Sequence, residues 1–252
     1  MTSRRSRYDT IFGAFPSVIS GGTSDLYTKL VAYWKLEEAS GTRADAKGSN
    51  TLTDGNTVTQ QTGKIGSCGQ FTSANTETLY IADNATLRTG DIDFALSAWV
   101  YSDSTPGGIR QVIGKWGAST KQEYRIRFNN GNSRFEAQVS STGVDAVQSG
   151  IVYTYANATW FFVMMWHDAT NNLLGIRVNE SESTQSHLLG VYALGDVNFS
   201  LGGSGQASPT QLWDGRIDEA AFWKSYIPSS TERTWLYNSG SGRSFQNIYD
   251  YV

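Results

Sequence analysis

Sulfur and imidazole are scarce in this chain of 252 residues, which carries a single cysteine, Cys68, and two histidines, His167 and His187. One cysteine allows no intrachain disulfide and no thiolate zinc cluster. The two histidines lack the H-x-x-x-H spacing that holds a catalytic zinc. Charge is thin as well, at 17% of residues, and nearly balanced, with 20 Lys and Arg against 23 Asp and Glu for a net −3. A whole-surface nucleic-acid binder needs a basic patch or a high pI, so no nucleic-acid partner is expected. No fully apolar run exceeds Trp160 to Trp166, far short of the roughly 20 residues that cross a bilayer, and no membrane insertion is expected either.

What the chain has instead is glycine and aromatic rings: 26 Gly against 4 Pro, with 8 Trp, 13 Tyr and 11 Phe. Glycine supplies positive φ in tight turns and aromatics fit pleated surfaces, so many short strands are the expectation. Alternating segments bounded by turn residues recur from Lys29 onward. They place strands at Leu30–Lys35, Cys68–Phe71, Thr78–Ile81, Phe94–Tyr101, Val112–Trp116, Tyr124–Asn129, Arg134–Ser140, Thr159–His167, Leu173–Asn179, Val197–Leu201 and Gly215–Trp223. The fold class is therefore all-β, a sandwich of two antiparallel sheets.

Two strands say more. Along Tyr124–Asn129, Tyr124, Ile126 and Phe128 share one face while Glu123, Arg125 and Arg127 share the other, the mark of one wet face. Trp160 to Trp166 is apolar on both faces, which predicts a central strand whose second face is covered by a loop, the N-terminal arm or another subunit. One helix stands out near the C-terminus: Ser229 and Glu232 have capping-box spacing after Pro228, and Gly240 follows as a stop. Ser239-Gly240-Ser241-Gly242 reads as a flexible exit before an aromatic tail. The expected division is an arm over 1–28, a sandwich over 29–243 and a tail over 244–252.

The strings "LVAYWKLEEASGTRADAKGSNTLT", "GKIGSCGQF", "DFALSAWVYS", "LWDGRIDEAAFW" and "YIPSSTERTWLYNSGSGR" occur in that order from Leu30 to Arg243. In order and spacing they resemble the laminin-G-like jelly-roll family of the concanavalin A-like lectin and glucanase superfamily. The resemblance implies a jelly-roll sandwich, in most relatives a non-catalytic binding or adhesion module, and in some a structural calcium. Laminarinase-like enzymes of the superfamily use an E-x-D-x-x-E strand, because a retaining glycosidase needs two carboxylates about 5–5.5 Å apart. Here Arg216 and Ala221 stand where both glutamates belong relative to Asp218, so no enzyme activity is expected, and Asp218-Glu219 reads as a structural pair.

Calcium takes six to eight oxygens, commonly from loops. Glu37, Glu38, Asp45 and Asn50 follow the first strand, and the resemblance brings Asp218 beside them, which makes Glu38, Asp45 and Asp218 the candidate calcium ligands. Sugars stack on aromatic faces and need directional polar partners. Trp116, after Lys115 and before a polar turn, and Trp213 beside Asp214 are the candidates, although tryptophans at sandwich edges also cap cores. Sequons at Asn84, Asn157, Asn179 and Asn198 matter only in a eukaryotic secreted protein.

Residues 4–15 imitate a signal peptide, but Asp9 and Pro16 bracket the apolar stretch and no A-x-A site follows, so classical export is not expected. The arm instead combines Arg4 and Arg5 with Ile11, Phe12 and Phe15, which fits docking onto a partner. The resulting expectation is a lectin-like structural protein, a decoration or attachment component of a phage virion that docks by its arm. Its expected partners are other virion or assembly proteins, further copies of itself in a homo-oligomer, and cell-surface glycan. The alternative is a free-standing carbohydrate-binding or adhesion module, extracellular or at the cell surface by non-classical release. A glycoside hydrolase stands third.

Overall fold

The computed structural model describes residues 22–104, 107–153, 157–193 and 196–252. Among them the elements are, in chain order, α1 Asp25–Thr28, β1 Leu30–Trp34, β2 Thr53–Gly55, β3 Thr59–Thr62, β4 Ser67–Phe71, β5 Thr78–Ile81, β6 Phe94–Ser102, β7 Ile109–Trp116 and β8 Gln122–Asn129. There follow β9 Arg134–Val139, β10 Val147–Val152, β11 Trp160–Asp168, β12 Leu173–Val178, β13 Ser181–Ser186, β14 Phe199–Leu201, β15 Gly215–Lys224, α2 Ser230–Tyr237 and α3 Phe245–Tyr249. The strands form two antiparallel sheets, a jelly-roll-like sandwich. The eight-stranded sheet runs β13-β12-β11-β6-β15-β4-β3 with β1 also on β15, and the seven-stranded sheet runs β10-β9-β8-β7-β14-β5-β2. Among the described residues no helix is long and apolar enough to cross a membrane.

Alternation sorts side chains between the sheets. Inward-facing Leu96, Ala98, Val100, Tyr124, Ile126, Phe128, Phe135, Val163, Met165 and Phe222 belong to one continuous buried core. One edge of β15 changes partner midway: Gly215–Ile217 pair with β4 and Ala220–Trp223 with β1. The register slips between Asp218 and Ala221 at that junction, and Glu219 adopts φ 49°. The extra residue is a β-bulge, which lets one long strand serve two short ones.

Strand β11 is central, between β12 and β6, and its second face is covered by this chain's own helices. Phe162, Met164 and Trp166 join Leu26 of α1, Leu236 of α2 and Ile248 of α3 in a second buried cluster. Helix α2 has the expected capping box, with Ser229 Oγ accepting from Glu232 N and Glu232 accepting from Ser229 N at 2.7 Å. The expected flexible exit differs. Residues 238–240 form a 3-10 turn, and α3 follows with its own capping box of Ser244 and Asn247. The aromatic residues that follow have a surface to dock on: Tyr27 meets Tyr249 edge to face at 5.0 Å and Trp235 meets Tyr251 at 4.5 Å. The segment before β1 docks on the same face, since Trp223 Nε1 donates to Leu26 O at 2.8 Å and Gly22 N to Tyr249 O at 2.5 Å. Arg4, Arg5, Ile11, Phe12 and Phe15 lie outside the described residues.

Candidate functional site

In an antiparallel sheet, directly paired residues put their side chains on the same face. Following partners from strand to strand across the seven-stranded sheet gives one rung: Thr53, Tyr80, Ser200, Gly114, Arg125, Gln138 and Gln148. Their neighbours Leu79, Leu201, Ile126, Ala137 and Val139 are in the core, so the rung faces outward. Gly114 at its middle has φ 147°, and an added Cβ would collide with Tyr124 O. Only glycine fits there, and the stretch of the rung at Gly114 and Ser200 is buried, with Ser200 Oγ donating to Gly203 O at 2.6 Å.

Where the rung reaches Arg125 and Gln138 lies a groove of about 420 Å³, bordered by Trp116, Arg125, Arg127, Gln138, Gln206 and Gln211. An adjoining hollow of about 380 Å³ shares Ser204 and Gln206 with it and reaches Asn56, Tyr80 and Asn198. The border is built by hydrogen bonds. Arg125 Nε donates to Gln138 Oε1 at 2.8 Å, Gln138 Nε2 to Gln148 Oε1 at 2.9 Å, and the Arg125 guanidinium also to the Gln211 side chain. The guanidinium lies 4.2 Å from the Trp116 ring centroid, a cation–π contact. Arg127 pairs with Glu136 at 2.7 Å, and Asn132 also donates to Glu136.

The face expected to be wet does point away from the core, yet Glu123, Arg125 and Arg127 are only 0%, 3% and 9% exposed. Burial, reinforced by Arg127, holds the Arg125 pKa well below its usual range despite the opposing pull of Glu136. Lys115, whose strand partners Tyr124 and Phe199 face the core, is fully buried and joins Asp83 and Glu123. Burial opposes ionisation of Asp83, but hydrogen bonds from Arg88 and Lys115 outweigh it and hold the carboxyl at about 2.

The sequence-selected residues separate. Trp116 borders the groove. Trp213 does not: at 1% exposed it sits in the main core with Nε1 donating to Tyr101 O at 3.2 Å, a cap with no free ring face. Asp214 ties loops together, accepting from Ser73 N at 3.0 Å and Ser104 Oγ at 3.2 Å. The candidate calcium ligands are engaged in the chain's own hydrogen bonds through some of their oxygens, while Glu38 Oε2 and Asp218 Oδ1 are buried without a hydrogen-bond partner among the described residues. Asp45 already accepts from Tyr33 N, Lys47 N, Asn50 N and Asn50 Nδ2. Glu38 accepts from Ala44 N, and Asp218 Oδ2 from Lys64 N and Ile65 N. Among the described residues no three His, Cys, Asp or Glu gather to hold a metal. Asp218 and Glu219 belong to the other sheet, where Asp218 fastens the turn at 63–66 and Glu219 accepts from the Tyr33 hydroxyl. Sequence reasoning misses Tyr80, Gln138 and Gln211, and it finds Arg125 only as part of a wet face. Extending that alternation across the neighbouring strands would have found Gln138.

A two-sheet sandwich with a polar groove across the outer face of one sheet has the form of a lectin-like module. The laminin-G-type model of the concanavalin A-like lectin/glucanases superfamily matches residues 73–231, and the chain belongs to that superfamily. Among solved structures it is similar to domain 4 of AbnA, a GH43 extracellular arabinanase from Geobacillus stearothermophilus, in complex with arabinotriose. That likeness has a TM-score of 0.61 at 18% identity, over 82% of this chain and 97% of the other. It is similar too to the binding domain of Paraclostridial Mosquitocidal Protein 1, with TM-score 0.68 at 14% identity over 85% and 53% of the two chains. A third likeness, with TM-score 0.64 at 11% identity over 85% and 52%, is to the botulinum neurotoxin serotype D ligand-binding domain in complex with N-acetylneuraminic acid. The chain thus spans about half the length of these toxin domains. No curated protein sequence matches it.

Proposed function

We propose that this chain is a non-catalytic glycan-binding module whose sugar site is the groove on the seven-stranded sheet. The two adjoining hollows carry the reading: their open space admits sugar rings, Tyr80 offers an aromatic face in one, and the Gln138, Gln206 and Gln211 amides supply directional hydrogen bonds in the other. The sugars held by the arabinanase domain and the serotype D toxin domain support it. No Asp or Glu borders the groove or the adjoining hollow, so the acid and nucleophile that glycoside hydrolysis requires have no place there. Replacing Tyr80 by Ala should weaken oligosaccharide binding about tenfold or more, since one aromatic–sugar contact contributes on the order of 1.5 kcal/mol, with the melting temperature nearly unchanged. Reducing-end assays on laminarin and agarose should stay at background. Unaltered binding by Tyr80→Ala, or steady release of reducing ends, would count against the reading.

For its setting we propose a virion surface, with the arm docking onto assembly partners or further copies of the chain. Arg4, Arg5, Ile11, Phe12 and Phe15 support this as a basic and apolar set that a free tail gains nothing by exposing. Deleting residues 1–21 spares α1 and its contacts. The shortened protein should fold and bind sugar normally yet lose assembly, as read by light scattering and particle incorporation. Assembly at the full-length level would refute the docking role.

A further inference from the structure

Resting on that reading of the groove, we infer that its ligand is an oligosaccharide bearing an anionic group, a carboxylate or a sulfate ester, received by Arg125. Arg125 is nearly buried, and its guanidinium hydrogen bonds go to two neutral amides, those of Gln138 and Gln211. Among the described residues it makes no ion pair. The other buried cations of the sandwich each have a carboxylate: Arg127 has Glu136, Lys115 has Asp83 and Glu123, Arg177 and Arg233 share Glu182, and Arg43 has Glu38 at 4.0 Å. A buried charge without a counter-charge is unfavourable, and here it borders an open groove that no carboxylate lines.

The amides and the Trp116 ring fix the plane of the guanidinium while leaving N–H donors uncommitted. That is a preformed fork for an anion, since two parallel charge-assisted bonds match a carboxylate or sulfate edge. Arg127 adds no net charge, being neutralised by Glu136, so the groove carries one positive charge. Along the rung, Arg125 and Tyr80 are separated by Gly114 and Ser200, three strand spacings or roughly 14 Å. A single sugar cannot reach both. A short chain passing the border that the two hollows share at Ser204 and Gln206 would set its anionic unit over Arg125 and a neutral ring on Tyr80.

The test is calorimetric titration of the full chain with trigalacturonate, 3′-sialyllactose and a sulfated carrageenan tetrasaccharide, each beside a neutral counterpart of the same length. At least one acidic sugar should bind ten times more tightly than its counterpart, and the preference should shrink as salt rises. Preference in the first two arms identifies a carboxylate, in the third a sulfate ester. Gln211→Glu places a carboxylate on the guanidinium without removing it and should abolish the preference at an unchanged melting temperature. Neutral sugars bound as well as acidic ones, in a Tyr80-dependent way and unaffected by Gln211→Glu, would overturn the inference and leave the groove reading standing. Binding of no sugar would overturn both.

Discussion

Replacing Glu219 by Gln should stabilise the protein at pH 9 by roughly 4 kcal/mol and leave it little changed at pH 4. Burial in the second cluster, with 4% exposure, pushes the Glu219 carboxyl from 4.5 up to about 8. Between those values the folded chain holds a proton that the unfolded chain has released. Stability therefore declines as pH rises through that window, by about 1.36 kcal/mol for every pH unit crossed. Glutamine stays neutral throughout and still accepts from Tyr33. Asp218, which burial raises to about 7 against the pull of its backbone donors, adds a second decline that Glu219→Gln retains. Chemical denaturation from pH 4 to 9 measures both. An identical pH slope in wild type and variant would show that Glu219 is ionised in the folded state.

Removing residues 244–252 should lower stability by about 3 kcal/mol or more and make the protein bind hydrophobic dyes. Ile248 is buried, and Phe245 and Tyr251 pack against the same cluster; a buried side chain of this size contributes about 1.5–3 kcal/mol before ordering costs. The truncation would strip the ring contacts that Phe245, Tyr249 and Tyr251 make with Tyr27, Tyr33 and Trp235, exposing an apolar patch of the kind that drives association. Calorimetry and dye fluorescence report the two effects separately. A truncated chain with native melting and no dye binding would show that α1 and α2 cover the face unaided.

The sequence announced the core strands because their side chains alternate or are wholly apolar, as in Phe94–Tyr101 and Trp160 to Trp166. It was silent about β3 and β13. Thr59–Thr62 is exposed throughout and Ser181–Ser186 nearly so; edge strands held by backbone pairing and polar side chains, as by Glu182 with Arg177 and Arg233, leave no hydrophobic period to read. The second cluster was half legible: β11 required a cover, but Leu26, Leu236 and Ile248 are too far apart in the chain to reveal that they supply it together. For the groove, Trp116 was found because a tryptophan beside a polar turn is conspicuous. Tyr80, Gly114 and Arg125 lie on three strands whose alignment depends on pairing through β14, and register of that kind is set by turns and the core. Trp213 misled for the opposite reason, since a strand-end tryptophan looks the same in sequence whether it faces a core or a ligand.

The hydrogen bond from Gly22 to Tyr249 draws both ends of the described chain onto the back of the eight-stranded sheet, while the groove opens from the front of the other. The molecule is therefore polar in the geometric sense. The described chain thus begins, and its last helix ends, on the side of the sandwich opposite the groove. A module fastened at either end holds its groove outward, so copies set side by side on a surface would all present the same face to the medium, and many weak contacts could act on one glycan-coated target at once.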